Sequence, residues 1–165
     1  MLTVFAGLPG AGKSTLAEAY GDRLGLPVLS IDPVDRAMQA MGVTESRPGV
    51  TAYVVIEALA EEHLRRGRGV VVDAVNAVEV ARQQWRDLAE RTGAGLRFVE
   101  VVCSDRQLHR DRVEKRHAAD PWKPDWAAVA SRDYEPWAGE CTVVDSATAS
   151  TTDLLDRLDA GGSDE

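Results

Sequence analysis

The chain has 165 residues, 44% apolar and 28% charged, with 19 Lys and Arg against 27 Asp and Glu for a net charge of −8. That length suits one domain with a three-layer core and is too short for two. No apolar run approaches the roughly 20 residues that a membrane-spanning helix needs, and no charged-then-apolar leader opens the chain, so a cytoplasmic location is expected. The acidic balance disfavours a long nucleic-acid footprint, because neutralising phosphates is the largest sequence-independent part of such binding. Two cysteines, Cys103 and Cys141, are too few for a zinc site and read as buried free thiols at strand ends.

Leu2 to Ala6 is a short apolar run that reads as a strand. It leads into Gly7-Leu8-Pro9-Gly10-Ala11-Gly12-Lys13-Ser14, a complete match to the phosphate-binding P-loop pattern. Gly7 and Gly12 let the backbone turn so that N–H groups face phosphate oxygens. Lys13 is placed to reach the β- and γ-phosphates and Ser14 to bind Mg²⁺. Thr15 follows in a helix expected over 13–24, whose N-terminus adds partial positive charge. Strand, loop and helix together imply binding of a nucleoside triphosphate, with Ser14 placed for Mg²⁺.

A strand near 27–30 is followed by Asp32. In an open parallel sheet the ligand lies beyond the carboxyl ends of the strands, so Asp32 faces the cleft and is the candidate general base for an attacking hydroxyl. Asp32-Pro33 also reads as the N-cap and first position of a helix over 33–41. Asp35, one turn on, is the alternative base or an acceptor-binding group, with a helix-surface charge as the other reading. The acceptor pocket is expected from side chains between Asp35 and Val50 and from the loop around Asn76.

A helix over 51–66 carries Tyr53, Ile56, Ala60 and Leu64 at helical spacing as its buried face. The strand near 69–73 ends in Asp73, an apolar run closed by an acid, suited to a position near Mg²⁺ but also to an ordinary strand end. Asn76 is a candidate acceptor contact, or a cap for the helix expected over 77–92.

The strand at 96–102 is nearly continuous in apolar residues, as a sheet interior requires. Ser104 and Gln107 resemble a capping box opening a helix over 105–117. On that helix Arg112 and Arg116 are four apart and share a face, placing two cations where charge develops on a transferring phosphoryl group; a solvated basic face is the other reading. His63, His109 and His117 lack metal-ligand spacing and read as surface residues. Ala118 to Asp125 is the longest irregular piece, suited to a mobile connection. A helix over 125–134, a strand over 141–145 and a helix over 152–159 complete the chain, and 161–165 reads as a disordered tail. Trp122, Trp126 and Trp137 read as packing of the core or lid base, with one of them or Tyr134 as the alternative partner of a nucleobase. Alternation of apolar runs and amphipathic stretches predicts an α/β fold with helices on both faces of a parallel sheet.

Taken together, the P-loop, the acid in Ser30-Ile31-Asp32-Pro33, the run Val72-Asp73-Ala74-Val75-Asn76 and Arg112-x-x-x-Arg116 resemble the P-loop kinases. Within that family they are similar to the kinase domain of phage polynucleotide kinase, chloramphenicol phosphotransferase and the zeta-toxin group, often catalogued as AAA-family ATPases. The resemblance implies a three-layer P-loop NTPase fold, five parallel strands in order 2-3-1-4-5, and one kinase domain over 1–160 with a helical lid about 105–125. It implies Asp32 as general base, Arg116 as lid arginine with Arg112 its partner, and Asp73 near metal or acceptor. The arginine that grips a nucleic-acid phosphate in polynucleotide kinase is missing unless Arg36 substitutes. The expected activity is ATP- and Mg²⁺-dependent phosphorylation of a small-molecule hydroxyl, by a monomer or homodimer. The alternatives are a polynucleotide 5′-hydroxyl kinase and a nucleotide-dependent switch without an acceptor.

Overall fold

The computed structural model describes residues 1–43 and 49–160. Thr44 to Pro48, within the stretch expected to shape the acceptor pocket, and the expected tail at 161–165 lie outside those residues. Five strands, β1 (Leu2–Ala6), β2 (Val28–Ser30), β3 (Val70–Asp73), β4 (Leu96–Val102) and β5 (Thr142–Asp145), pair in parallel in the order β2-β3-β1-β4-β5. The described helices are α1 (Lys13–Leu24), α2 (Ile31–Ala40), α3 (Val50–Arg65), α4 (Glu79–Thr92), α5 (Arg106–Ala119), α6 (Trp126–Ala130) and α7 (Thr151–Ala160). Order, direction and layers match the P-loop NTPase fold that the resemblance implied.

The strands are apolar because both faces of the sheet are covered. Leu2, Val4, Val70 and Val72 join Ile56, Trp85 and Leu88 in a core under α3 and α4. Phe5, Val71, Val99 and Val101 join Leu16, Tyr20, Leu154 and Leu158 under α1 and α7. The period-two alternation of the strands therefore divides one sheet between two cores. Each such side chain contributes about 1.5–3 kcal/mol when fully buried. Adjacency also places the chemistry: Phe5 is in register with Asp73, and Asp73 with Ser30. The carboxyl ends of β1, β2 and β3 thus converge where the P-loop begins.

Several helix ends differ from expectation. α2 starts at Ile31 with Ser30 as N-cap, so Asp32 is inside the first turn and is not the cap. Pro33 is tolerated there because a first-turn N–H has no intrahelical partner to lose. α5 is capped by Asp105, whose carboxylate accepts the Leu108 N–H at 3.0 Å; Gln107 bonds Asp111 instead of closing a capping box with Ser104. α4 starts at Glu79, and its N–H is taken by the Glu135 carboxylate at 2.5 Å, so Asn76 is not its cap. α6 spans only Trp126–Ala130 and does not reach 134; beyond it Glu135 is bonded to Ala77 and to the start of α4. On α3 the buried face is Ala52, Ile56, Ala60 and Leu64. Tyr53 is one position round and only half-buried. Cys103 and Cys141 are free and half-buried rather than buried.

Candidate active site

The loop between β1 and α1 is shaped by glycines whose conformations other residues resist. Gly7 has φ 139°, and a Cβ there would lie 2.3 Å from the Val101 carbonyl oxygen. Gly12 has φ 98° and faces Ser146. α1 has no side-chain cap, so its first N–H groups remain free for an anion, with the helix dipole behind them. His109 is buried, correcting its reading as a surface residue. Its Nε2 donates to the Pro9 carbonyl at 2.9 Å, and its ring meets Trp126 edge-on. The base of α5 is thereby fastened to the P-loop.

Lys13 is buried at the mouth of the loop, with its ammonium 2.5 Å from Asp73 Oδ1 and 3.5 Å from Ser14 Oγ. The second Asp73 oxygen accepts from Ser30 Oγ at 2.9 Å. This partnership follows from sheet order, since β3 lies beside β1 and places Asp73 level with the loop. Ser14 and Asp73 are hard oxygen donors flanking Lys13, a set that fits Mg²⁺. Among the described residues no cluster of three His, Cys, Asp or Glu could hold a metal alone.

A cleft of about 1460 Å³ opens over the loop and is lined by Lys13, Ser14, Asp32, Asp35, Arg112 and Arg116. Asp32 sits on α2, half-exposed, and accepts from Lys123 Nζ at 2.7 Å. Burial pushes its pKa up, but Lys123, together with the charges of Lys13 and Arg116, outweighs it and holds the carboxyl below its ordinary value. Asp35 accepts from Gln39 of its own helix at 2.9 Å. Arg116 is exposed and, among the described residues, forms no ion pair. Arg112 donates to Ser146 Oγ at 2.8 Å, and Ser146 Oγ in turn donates to the Ala11 carbonyl at 2.7 Å. Both arginines line the cleft.

Asn76 is fully buried, a correction to its expected acceptor contact. Its amide donates to the Phe5 carbonyl and accepts from Trp85 Nε1 at 2.8 Å, with φ 51°. Its backbone N–H donates to the Tyr53 hydroxyl at 3.1 Å. The irregular piece after α5 is held against α2 by three side-chain contacts. Lys123 meets Asp32, Asp120 meets Arg36 at 2.6 Å, and Trp122 Nε1 meets Gln39 at 3.2 Å. Arg36 is therefore engaged inside the molecule and also faces the Trp122 ring. Trp126 packs on His109 and Trp137 on Phe98, leaving Trp122 as the one of those three tryptophans on the cleft wall.

A family model described as an AAA domain matches residues 2–131. The chain belongs to the AAA domain family. An uncharacterized protein of Mycobacterium tuberculosis is 34% identical to this AAA domain over 115 residues, 62% of the chain and 23% of that protein. The chain thus spans less than a quarter of the curated mycobacterial relatives it matches. A putative kinase from Chloroflexus aurantiacus superposes with TM-score 0.78 at 23% identity, covering 97% of this chain and 94% of that one. The Mycobacterium tuberculosis APS kinase CysC, in complex with AMPPNP and APS, superposes with TM-score 0.71 at 15% identity, covering 96% and 95%. The AAA domain here is therefore a P-loop kinase-like fold, and among its described residues no helix is long and apolar enough to cross a membrane.

Two contributors to the AAA domain's site carried no sequence signal. Arg82 is completely buried, and its guanidinium donates to the carbonyls of Asn76, Ala77, Glu135 and Pro136. It lies 4.0 Å over the Trp137 ring. On an amphipathic helix rich in arginine, nothing local singles it out. Lys123 lies between prolines in an irregular stretch, and its partner is 91 residues away.

Proposed function

We propose that the protein is an ATP- and Mg²⁺-dependent kinase that transfers the γ-phosphate to a hydroxyl of a small-molecule acceptor. The observation that carries this reading is that Asp32 and Lys13 line one cleft, with the charges of Lys13 and Arg116 both felt at the Asp32 carboxylate. A base, a phosphate-binding ammonium and an unpaired cation around one space are what phosphoryl transfer needs, since it is governed by positioning and electrostatics.

In this reading Gly7 to Thr15 and the α1 N-terminus hold the triphosphate, and Arg112 with Ser146 borders its nucleoside end. Ser14 and Asp73 would hold Mg²⁺, which would supply charge neutralisation between the phosphates. Asp32 orients the acceptor hydroxyl and takes its proton. The hydroxyl oxygen forms a bond to the γ-phosphorus while the bond to the β–γ bridging oxygen breaks, releasing ADP. Arg116 balances charge on the moving phosphoryl oxygens. The pairing of Arg36 with Asp120 supports a small acceptor over a polynucleotide, because the sole stand-in for a nucleic-acid clamp is already occupied.

The test is incubation with γ-labelled ATP, Mg²⁺ and a pooled extract of metabolites and short RNA, with Asp32→Asn as control. Labelled product from the native protein alone is expected. Free phosphate released equally by both proteins would remove Asp32 from catalysis and turn the reading into a nucleotide switch.

A further inference from the structure

The cleft is more basic than the chain. Six Lys and Arg line it against Glu18, Asp32 and Asp35, although the whole chain carries −8. Most of those cations have evident work. Lys13 is paired with Asp73, Lys123 with Asp32, Arg112 is bonded to Ser146, and Arg116 adjoins Asp32. Lys115, Arg116 and Arg132 are exposed and among the described residues have no ion-pair partner; Lys115 and Arg116 lie on α5, whereas Arg132 lies beyond α6.

Its position is built. After α6 the chain returns across the start of α4, where the Glu135 N–H donates to the Ala77 carbonyl at 2.8 Å. Buried Arg82 clamps the carbonyls of Glu135 and Pro136 at 2.7 and 2.8 Å. Arg132 is therefore carried by a strap pinned at Ala77 and at the start of α4, and it lines the same cleft as Val75, Ala77 and Tyr53. Burial raises the Tyr53 hydroxyl pKa; the Asn76 N–H opposes it, Asp32 and Asp73 add to it, and Arg132 opposes it. The Tyr53 oxygen accepts the Asn76 N–H at 3.1 Å, on a backbone locked at φ 51° by the buried Asn76 side chain. That bond uses an oxygen lone pair and leaves the phenolic hydrogen free to be donated, and Tyr53 lines the cleft. Val50, Val78 and Ala81 close the wall with apolar surface.

We propose that the acceptor is a small hydroxyl compound bearing an anionic group, carboxylate or phosphate ester, which Arg132 binds through its guanidinium fork while Tyr53 donates a hydrogen bond beside it. This rests on the kinase reading above. A guanidinium matches either anion with paired N–H donors, and a neutral polyol would leave that charge unused. Asp32 then addresses the hydroxyl at the opposite end of the same molecule.

The experiment divides a metabolite extract on anion-exchange resin and offers each fraction to the full chain with γ-labelled ATP and Mg²⁺. Labelled product from the retained fraction only is expected; product from the unretained fraction overturns the proposal. ATP hydrolysis with no product from either fraction overturns the kinase reading itself, a distinct failure. Phosphatase treatment of the retained fraction, followed by removal of the phosphatase, abolishes a phosphate-ester acceptor and spares a carboxylate. With the active fraction, Arg132→Gln is expected to raise the apparent acceptor KM ~10- to 100-fold. The KM for ATP should stay within twofold and the melting temperature unchanged, since Arg132 is exposed. Tyr53→Phe should raise the acceptor KM by a smaller factor with kcat retained. An unaltered acceptor KM in Arg132→Gln removes Arg132 from the subsite.

Discussion

Lys123 Nζ and the Asp32 carboxylate lie 2.7 Å apart, so the connection after α5 places a cation on the very group proposed as base. The ion pair holds the carboxyl below its ordinary pKa against a burial effect that would raise it. An acceptor hydroxyl at Asp32 would displace this contact or share it.

Lys123→Ala is accordingly expected to raise the Asp32 pKa, and the acid limb of kcat/KM should move to higher pH. Because the folded pKa of Asp32 is lowered, its pairing stabilises the fold above the unfolded carboxylate value of about 3.9. That contribution fades as pH falls through the lowered folded value. In Lys123→Ala it should be absent throughout. Carboxyl titration by NMR and kcat/KM against pH measure both effects, and an unmoved acid limb would separate Lys123 from the base.

Asp32→Asn should retain ATP affinity while turnover falls by orders of magnitude, each tenfold being about 1.4 kcal/mol of barrier. Arg116→Ala should cost roughly 10³-fold if it acts on the transferring group as an arginine finger does. Single-turnover rates at saturating ATP report on both. A loss below tenfold in Arg116→Ala would leave it a solvated charge.

Lys13→Ala should abolish transfer and also weaken the fold. The Lys13 and Asp73 side chains are 8% and 5% exposed, and removing one member of such a pair costs about 3–5 kcal/mol because a charge stays buried alone. Lys13→Ala with Asp73→Asn should recover much of that stability and none of the activity. Urea denaturation across the double-mutant cycle checks the coupling.

Arg82→Ala removes the donor from four carbonyls at once, with an expected loss of about 3 kcal/mol or more for the unsatisfied groups. Arg82→Lys should rescue little, because an ammonium lacks the planar fork that spans both segments. Thermal melts would show this, and a Lys variant as stable as wild type would reduce Arg82 to a simple charge.

Much of the architecture was legible along the chain. The strand, the Gly7–Ser14 loop and the following helix are one contiguous signal, and Val70 to Asp73 and Leu96 to Val102 are strands because buried parallel sheets need continuous apolar runs. Local signals failed where two short-range solutions competed. Asp32-Pro33 and Ser104-Gln107 are both credible helix starts, and packing selected Ser30 and Asp105 instead.

What the sequence by itself determined is therefore local: the phosphate loop, the α/β alternation, and acids at the ends of β2 and β3. These are set by backbone sterics and by periodicities of two and 3.6 residues. The tertiary structure alone decided which of the marked side chains meet. Lys13 finds Asp73 because β3 lies beside β1, and Asp32 finds Lys123 because the segment after α5 folds back onto α2. Asn76 is withdrawn into the core by Trp85, and Arg82 pins the strap that carries Arg132. Such pairings join residues many positions apart, and their energies depend on burial and distance, quantities that exist only once the chain has folded.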